Sequence, residues 1–90
     1  MKKLSQTTQF AKDIKRIQKR GKKVAKLKSI VMALANGESL DPKHRDHPLV
    51  GSWKNARDCH VEPDWVLIYT VDTHSLRLER TGTHSDLFKK

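Results

Sequence analysis

Trp65-Val66-Leu67-Ile68-Tyr69-Thr70-Val71 is an almost unbroken apolar run of strand length. Aromatic and β-branched side chains with no alternating polar partner mark a central strand covered on both faces. After it, Asp72-Thr73-His74-Ser75 turns the chain into Leu76-Arg77-Leu78-Glu79-Arg80-Thr81, a further strand. Before it, Glu62-Pro63-Asp64 reads as a turn, preceded by a stretch in which Trp53, Arg57, Cys59 and Val61 alternate with Lys54, Ala56, Asp58 and His60. The expectation is an antiparallel meander in which Asp58 and His60 share a face.

Toward the N-terminus the period changes from two to that of a helix. Leu4 lies in a short stretch suited to a first edge strand, and Thr7 or Thr8 caps a helix in which Phe10, Ile14 and Ile17 recur at helical spacing. Gly21 interrupts it. A second helix carries Val24, Leu27, Val31 and Leu34 on one stripe, with Ile30 beside it, and stops at Asn36-Gly37. Two helices ahead of the sheet can cover only one face, which leaves the other for a site. The predicted fold is α+β: an N-terminal helical hairpin on one face of a small, mainly antiparallel sheet.

Ninety residues make one domain, residues 1–90; at this size folding buries roughly 60% of the surface the unfolded chain exposes. The net charge of +9 is unevenly placed: residues 1–28 hold 11 basic residues and one acid, whereas residues 29–90 hold 8 basic and 9 acidic. All the excess belongs to the helical third. Such a block attracts polyphosphate without reading sequence. For any single lysine a solvated helix face is as good an account. Met1-Lys2-Lys3 resembles the head of a secretion signal, but no apolar core follows and no run is long enough to span a membrane, so a cytoplasmic location is expected. Cys59, the only cysteine, excludes an intrachain disulfide and a four-cysteine zinc site.

Residues 38–51 form a long loop by composition, with His47 just before Pro48. His47, His60 and His84 accumulate in the C-terminal half beside Asp58, Asp64, Trp65 and Arg80. Imidazoles with carboxylates, a fixed cation and aromatics suit proton transfer at a phosphate ester. Geometry constrains this grouping. Arg80 shares the parity of Leu76 and Leu78, so it escapes the core only if a bulge intervenes or the leucines face outward. His84 lies about 13 Å beyond Arg80 in a straight strand, so the two serve one phosphate only if the chain bends near Gly82.

The wording Asp46-His47-Pro48-Leu49, Gly51-Ser52-Trp53-Lys54, Arg57-Asp58, His60-Val61-Glu62-Pro63-Asp64-Trp65, Leu67-Ile68-Tyr69 and Glu79-Arg80-Thr81-Gly82-Thr83-His84 with Leu87-Phe88 resembles the YafQ branch of the RelE/ParE superfamily of bacterial type II toxins. The resemblance covers nearly the whole chain and is most specific from position 46 to 88. It implies a RelE-like toxin that enters the ribosomal A site, cuts mRNA there and is neutralised by a cognate antitoxin. It also implies catalytic roles for His47, His60, Asp64, Arg80 and His84, with Trp65 and Phe88 nearby.

On that reading the ribose 2′-hydroxyl is the nucleophile, His84 the general acid, and His60 or Asp64 the base unless the pair positions one another. Arg80 holds the phosphate, His47 assists, and Trp65 and Phe88 stack on a base. Lys15, Arg16, Lys19, Lys22, Lys23 and Lys26 grip ribosomal RNA. No cofactor or metal enters the scheme, no membrane is a partner, and DNA is reached only through the antitoxin, whose acidic or amphipathic C-terminal segment covers the open sheet face. The simpler assignments are surface roles for His44 and His74, an Arg57–Asp58 ion pair and a core position for Trp53. His44, His47, Cys59, His60 and Asp64 are a permissive zinc set without a recognised motif. The competing function is a binder without chemistry, including a gyrase poison of the ParE kind.

Overall fold

The computed structural model describes residues 1–49 and 55–88; the expectation for Trp53 lies outside them. The elements follow as β1 (Lys3–Gln6), α1 (Thr8–Lys19), α2 (Val24–Ala35), a 3-10 turn (Pro42–His44), β2 (His47–Pro48), β3 (Arg57–Glu62), β4 (Trp65–Val71), β5 (Ser75–Gly82) and α3 (His84–Leu87). The strands lie in the order β1-β5-β4-β3-β2. Only β1 against β5 is parallel; the meander is antiparallel, as expected.

The caps sit where the local chemistry requires them. Thr7 Oγ1 accepts the Phe10 N–H at 2.9 Å and donates to the Glu79 carbonyl at 2.8 Å, so one hydroxyl both starts α1 and pins it to β5. α2 closes at Asn36, followed by Gly37 at φ 75°, a left-handed position suited to glycine. The helices bury Phe10, Ile17, Leu27, Ile30, Val31 and Leu34 against Cys59, Val61, Trp65, Leu67, Tyr69, Leu76 and Leu78.

The central run divides by parity, as a strand covered on both faces must. Trp65, Leu67 and Tyr69 pack toward the helices, whereas Val66 and Ile68 join a smaller cluster with Ala56 and Leu87, flanked by Leu49 and Phe88. The face expected to be open is therefore partly roofed by α3. Of the two ways to place Arg80, the bulge is the one found. Tyr69 pairs with Leu78 and Ile68 with Arg80, so Glu79 is the extra residue and Arg80 shifts into register with the smaller cluster.

Candidate active site

Three histidines reach one region by different routes. β2 pairs His47 with Asp58 on β3, inside the stretch expected to be loop, and His60 follows two residues later on the same face. Asp46 holds the segment in place by accepting hydrogen bonds from the Tyr69 hydroxyl and, at 3.2 Å, from Arg57 Nε. The ion pair of Arg57 is thus with Asp46 and not with Asp58. Beyond β5 the chain bends at Gly82, where an added Cβ would come within 3.0 Å of the Asp86 side chain. Thr83 then caps α3: its Oγ1 accepts the Asp86 N–H while Asp86 accepts the Thr83 N–H. Arg20 anchors Asp86 at 2.7 Å and holds that carboxyl well below the usual range.

This bend brings the His84 ring within 5.3 Å of the His60 ring, centroid to centroid, and within 6.1 Å of Phe88. Both imidazoles are oriented through Nδ1. His60 Nδ1 lies 3.2 Å from the Pro63 carbonyl and His84 Nδ1 2.9 Å from Asp64 Oδ1. These partners only accept, so each Nδ1 donates and each Nε2 is left for chemistry. Asp64 also accepts the His84 backbone N–H at 3.3 Å. The hydrogen bond from the His84 side chain, then that from its backbone, lowers the Asp64 pKa. A carboxylate so held is a poorer base and a better orienting group.

Asp58 is the residue that sequence reasoning undervalued. It is 4% exposed, and His47 Nε2 lies 2.7 Å from its Oδ1, yet among the described residues that oxygen has no aligned hydrogen bond. Burial raises its pKa, while His47, His60 and His84 act in the opposite direction. One buried carboxylate thus meets His47 directly and feels the charge of the other two imidazoles. Its signals in the sequence were its place among the histidines, the parity it shares with His60 and the Arg57-Asp58 wording of the resemblance.

Two expectations change. Trp65 is fully buried and its Nε1 donates to Thr81 Oγ1 at 2.9 Å, so it cannot stack on a base; its place is the helix-side core. The Arg80 guanidinium faces Asp13 of α1, through Nε at 2.7 Å and Nη2 at 3.2 Å, and no contact among the described residues joins it to an imidazole. Asp13 is fully buried and also accepts the Thr81 N–H at 3.1 Å. Nη1 lies outside that pair. The basic helices are partly neutralised as well, with Lys22 and Lys26 on Glu62 and Arg16 between Asp13 and Asp86. Lys15, Lys19 and Lys23 are exposed.

The permissive zinc set is not assembled. Cys59 is buried toward the helices with its thiol pushed up to about 12 by burial, and His44 Nδ1 is engaged by the His60 carbonyl at 2.7 Å. Among the described residues no three His, Cys, Asp or Glu side chains are grouped to hold an ion. No helix in the described residues is long and apolar enough to cross a membrane.

Comparison with known proteins gives consistent relatives. A sequence profile of YafQ, a bacterial toxin of type II toxin–antitoxin systems, matches residues 2–89. The mRNA interferase toxin YafQ of Escherichia coli (strain K12) is 53% identical over 81 residues, 89% of this chain and 88% of that protein. Among solved structures, the toxin in the E. coli DinJ–YafQ toxin–antitoxin complex superposes with a TM-score of 0.91 at 49% identity, covering 97% of each chain. A metal-bound toxin from Helicobacter pylori superposes with a TM-score of 0.92 at 39% identity, covering 98% of this chain and all of that one. With a profile match along nearly its full length and this level of identity, the chain belongs to the YafQ family of bacterial type II toxin–antitoxin toxins.

Proposed function

We propose that this protein is an mRNA interferase, the toxin of a type II toxin–antitoxin pair, which cuts messenger RNA in the ribosomal A site as one domain spanning residues 1–90. The carrying observation is the pair of imidazoles 5.3 Å apart, each anchored through Nδ1 with Nε2 left over. RNA supplies the nucleophile. His60 Nε2 takes the 2′-hydroxyl proton as that oxygen attacks phosphorus, and His84 Nε2 gives a proton to the departing 5′-oxygen. The products are a 2′,3′-cyclic phosphate and a 5′-hydroxyl end.

Asp64 orients His84 and stabilises its charged form, which the lowered Asp64 pKa supports. His47, with Asp58 as its counter-charge, faces the phosphate. Arg80, held by Asp13, offsets the developing charge through Nη1; removing such a contact costs on the order of a hundredfold in rate. Phe88, half-buried beside His84, stacks on a base. Every proton step has a side chain assigned, so the scheme gives a metal no role.

The exposed Lys15, Lys19 and Lys23 grip ribosomal RNA, aided by Arg16, Lys22 and Lys26 around their ion pairs. The cognate antitoxin covers the face carrying His60 and His84 with an acidic or amphipathic C-terminal segment. The relative in the DinJ–YafQ complex supports such a partner. The setting is the cytoplasm, where ribosomes are met.

The test is in vitro translation of a defined mRNA with 5′-end mapping, wild type beside His84→Ala. Cuts in register with the reading frame, absent in the variant, are the expected result. Inhibition of translation without cuts, unchanged in the variant, would overturn the nuclease reading in favour of a binder.

A further inference from the structure

Beside His60, α2, the 3-10 turn and the end of β3 line a groove of about 680 Å3 to which His84 does not contribute. That lies within the roughly 300–1,000 Å3 typical of small-molecule sites. His60 lines it, so the groove continues the active centre. The one carboxylate on its wall, Glu62, is taken up by Lys22 at 2.8 Å and Lys26 at 2.7 Å. Lys43 and Arg45 on its rim make no ion pair among the described residues.

The backbone gives a second, independent indication. Arg45 has φ 47° and ψ 47°, a left-handed conformation that glycine or asparagine would occupy at lower energy. A long cation in a position that glycine or asparagine would suit better points to a use for the guanidinium. His44, immediately before it, donates from Nδ1 to the His60 carbonyl at 2.7 Å. That bond couples the groove wall to the strand carrying the catalytic imidazole.

We infer that this groove is a second RNA subsite, which holds the nucleotide flanking the cleaved linkage on the His60 side. The inference rests on the nuclease reading above. Lys43 and Arg45 meet the flanking phosphate, Ile30 and Val61 give the base an apolar wall, and Ser29 and His44 offer hydrogen bonds to its edge. A single strand fits this mixture of rim cations, apolar wall and polar edge because its phosphate, base face and base edge are all exposed.

The experiment uses the intact toxin with programmed ribosomes and a defined mRNA, either complete or carrying one abasic position beside the mapped cut. Wild type, His84→Ala, Arg45→Gly and Lys43→Ala/Arg45→Gly are compared. Arg45→Gly relieves the left-handed backbone, so a thermal midpoint at or above wild type shows that it is folded. The double variant should raise KM about tenfold with kcat changed less than about twofold, the signature of a lost ground-state contact. The abasic position should weaken wild-type cleavage several-fold and add little in the double variant.

Wild-type KM in the double variant, or an equal abasic penalty in both proteins, overturns the subsite. Weakened binding to ribosomes without mRNA reassigns the groove to ribosomal contact, and weakened antitoxin binding with cleavage intact reassigns it to the peptide; either also overturns it. If wild type makes no cuts, the nuclease reading fails first, and this result is distinct from cuts that persist in the groove variants.

Discussion

The two faces of the sheet put the same strand residues to different uses. Toward α1 and α2 the side chains are apolar and buried, and the charged group among them, Asp13, is saturated by Arg80, Arg16 and the Thr81 N–H. On the opposite face a small cluster around Val66, Ile68 and Leu87 gives way to imidazoles half in water and to a buried carboxylate oxygen without an aligned donor. One face holds the fold together, whereas the other keeps polar groups incompletely satisfied, as chemistry requires. Arg80 and His84 show the contrast within four residues: the first has a fixed partner in the interior, the second an exposed one in Asp64.

The largest effect that can break this comparison lies on the reactive face. His84→Ala should lower cleavage by about 100- to 10,000-fold while leaving the urea midpoint near that of wild type, because only a solvated ring is lost. A matching fall in stability would make His84 a structural residue. On the opposite face Leu67→Ala should cost about 2–5 kcal/mol in urea denaturation, with cleavage per folded molecule retained. If activity fell with stability unchanged, the division between the faces would be wrong.

Asp58→Asn sharpens the distinction, since burial raises the Asp58 pKa and ionisation there opposes folding. The charge costs stability once pH exceeds the unfolded value near 3.8, and the cost is complete above the raised native value. The asparagine variant should therefore be more stable than wild type at pH 7, indistinguishable near pH 3, and slower in cleavage. Equal or lower stability at pH 7 would mean that the three histidines outweigh desolvation.

The smallest effect is expected at Glu62, whose pKa is lowered to about 2 by hydrogen bonds from Lys22 and Lys26. Its contribution is present above the unfolded value near 4.5 and is lost as pH falls through about 2. Glu62→Gln should lower the thermal midpoint slightly at neutral pH, by an amount that shrinks with added salt. A salt-independent loss would assign Glu62 to packing instead.

Much of this was legible along the chain because it depends on neighbours. The helices, the Thr7 cap, the Asn36-Gly37 stop and the meander follow from periodicities of 3.6 and 2 and from turn chemistry, which act over a few residues. The bend at Gly82 was required only if Arg80 and His84 were to serve one phosphate, and the glycine there made it available. Asp13, the lone acid in a basic helix, carried no local sign of its pairing with Arg80, 67 residues away. Trp65 beside Asp64 was expected to stack on a base although it opens the run read as a doubly covered strand, since proximity in sequence to a site residue says nothing about which side chain is buried.

The amino-acid order by itself determined the two long helices, the three-stranded meander, the uneven charge and the set of groups able to move protons, but not β2 or α3. Tertiary structure alone decided which of those groups meet. The Glu79 bulge moved Arg80 into another register, β2 set His47 over Asp58, and α3 folded His84 back to His60. The physical reason is range: propensity and capping act within a turn or two, whereas a pocket is made by long-range pairing, where one extra residue in a strand redirects every side chain beyond it.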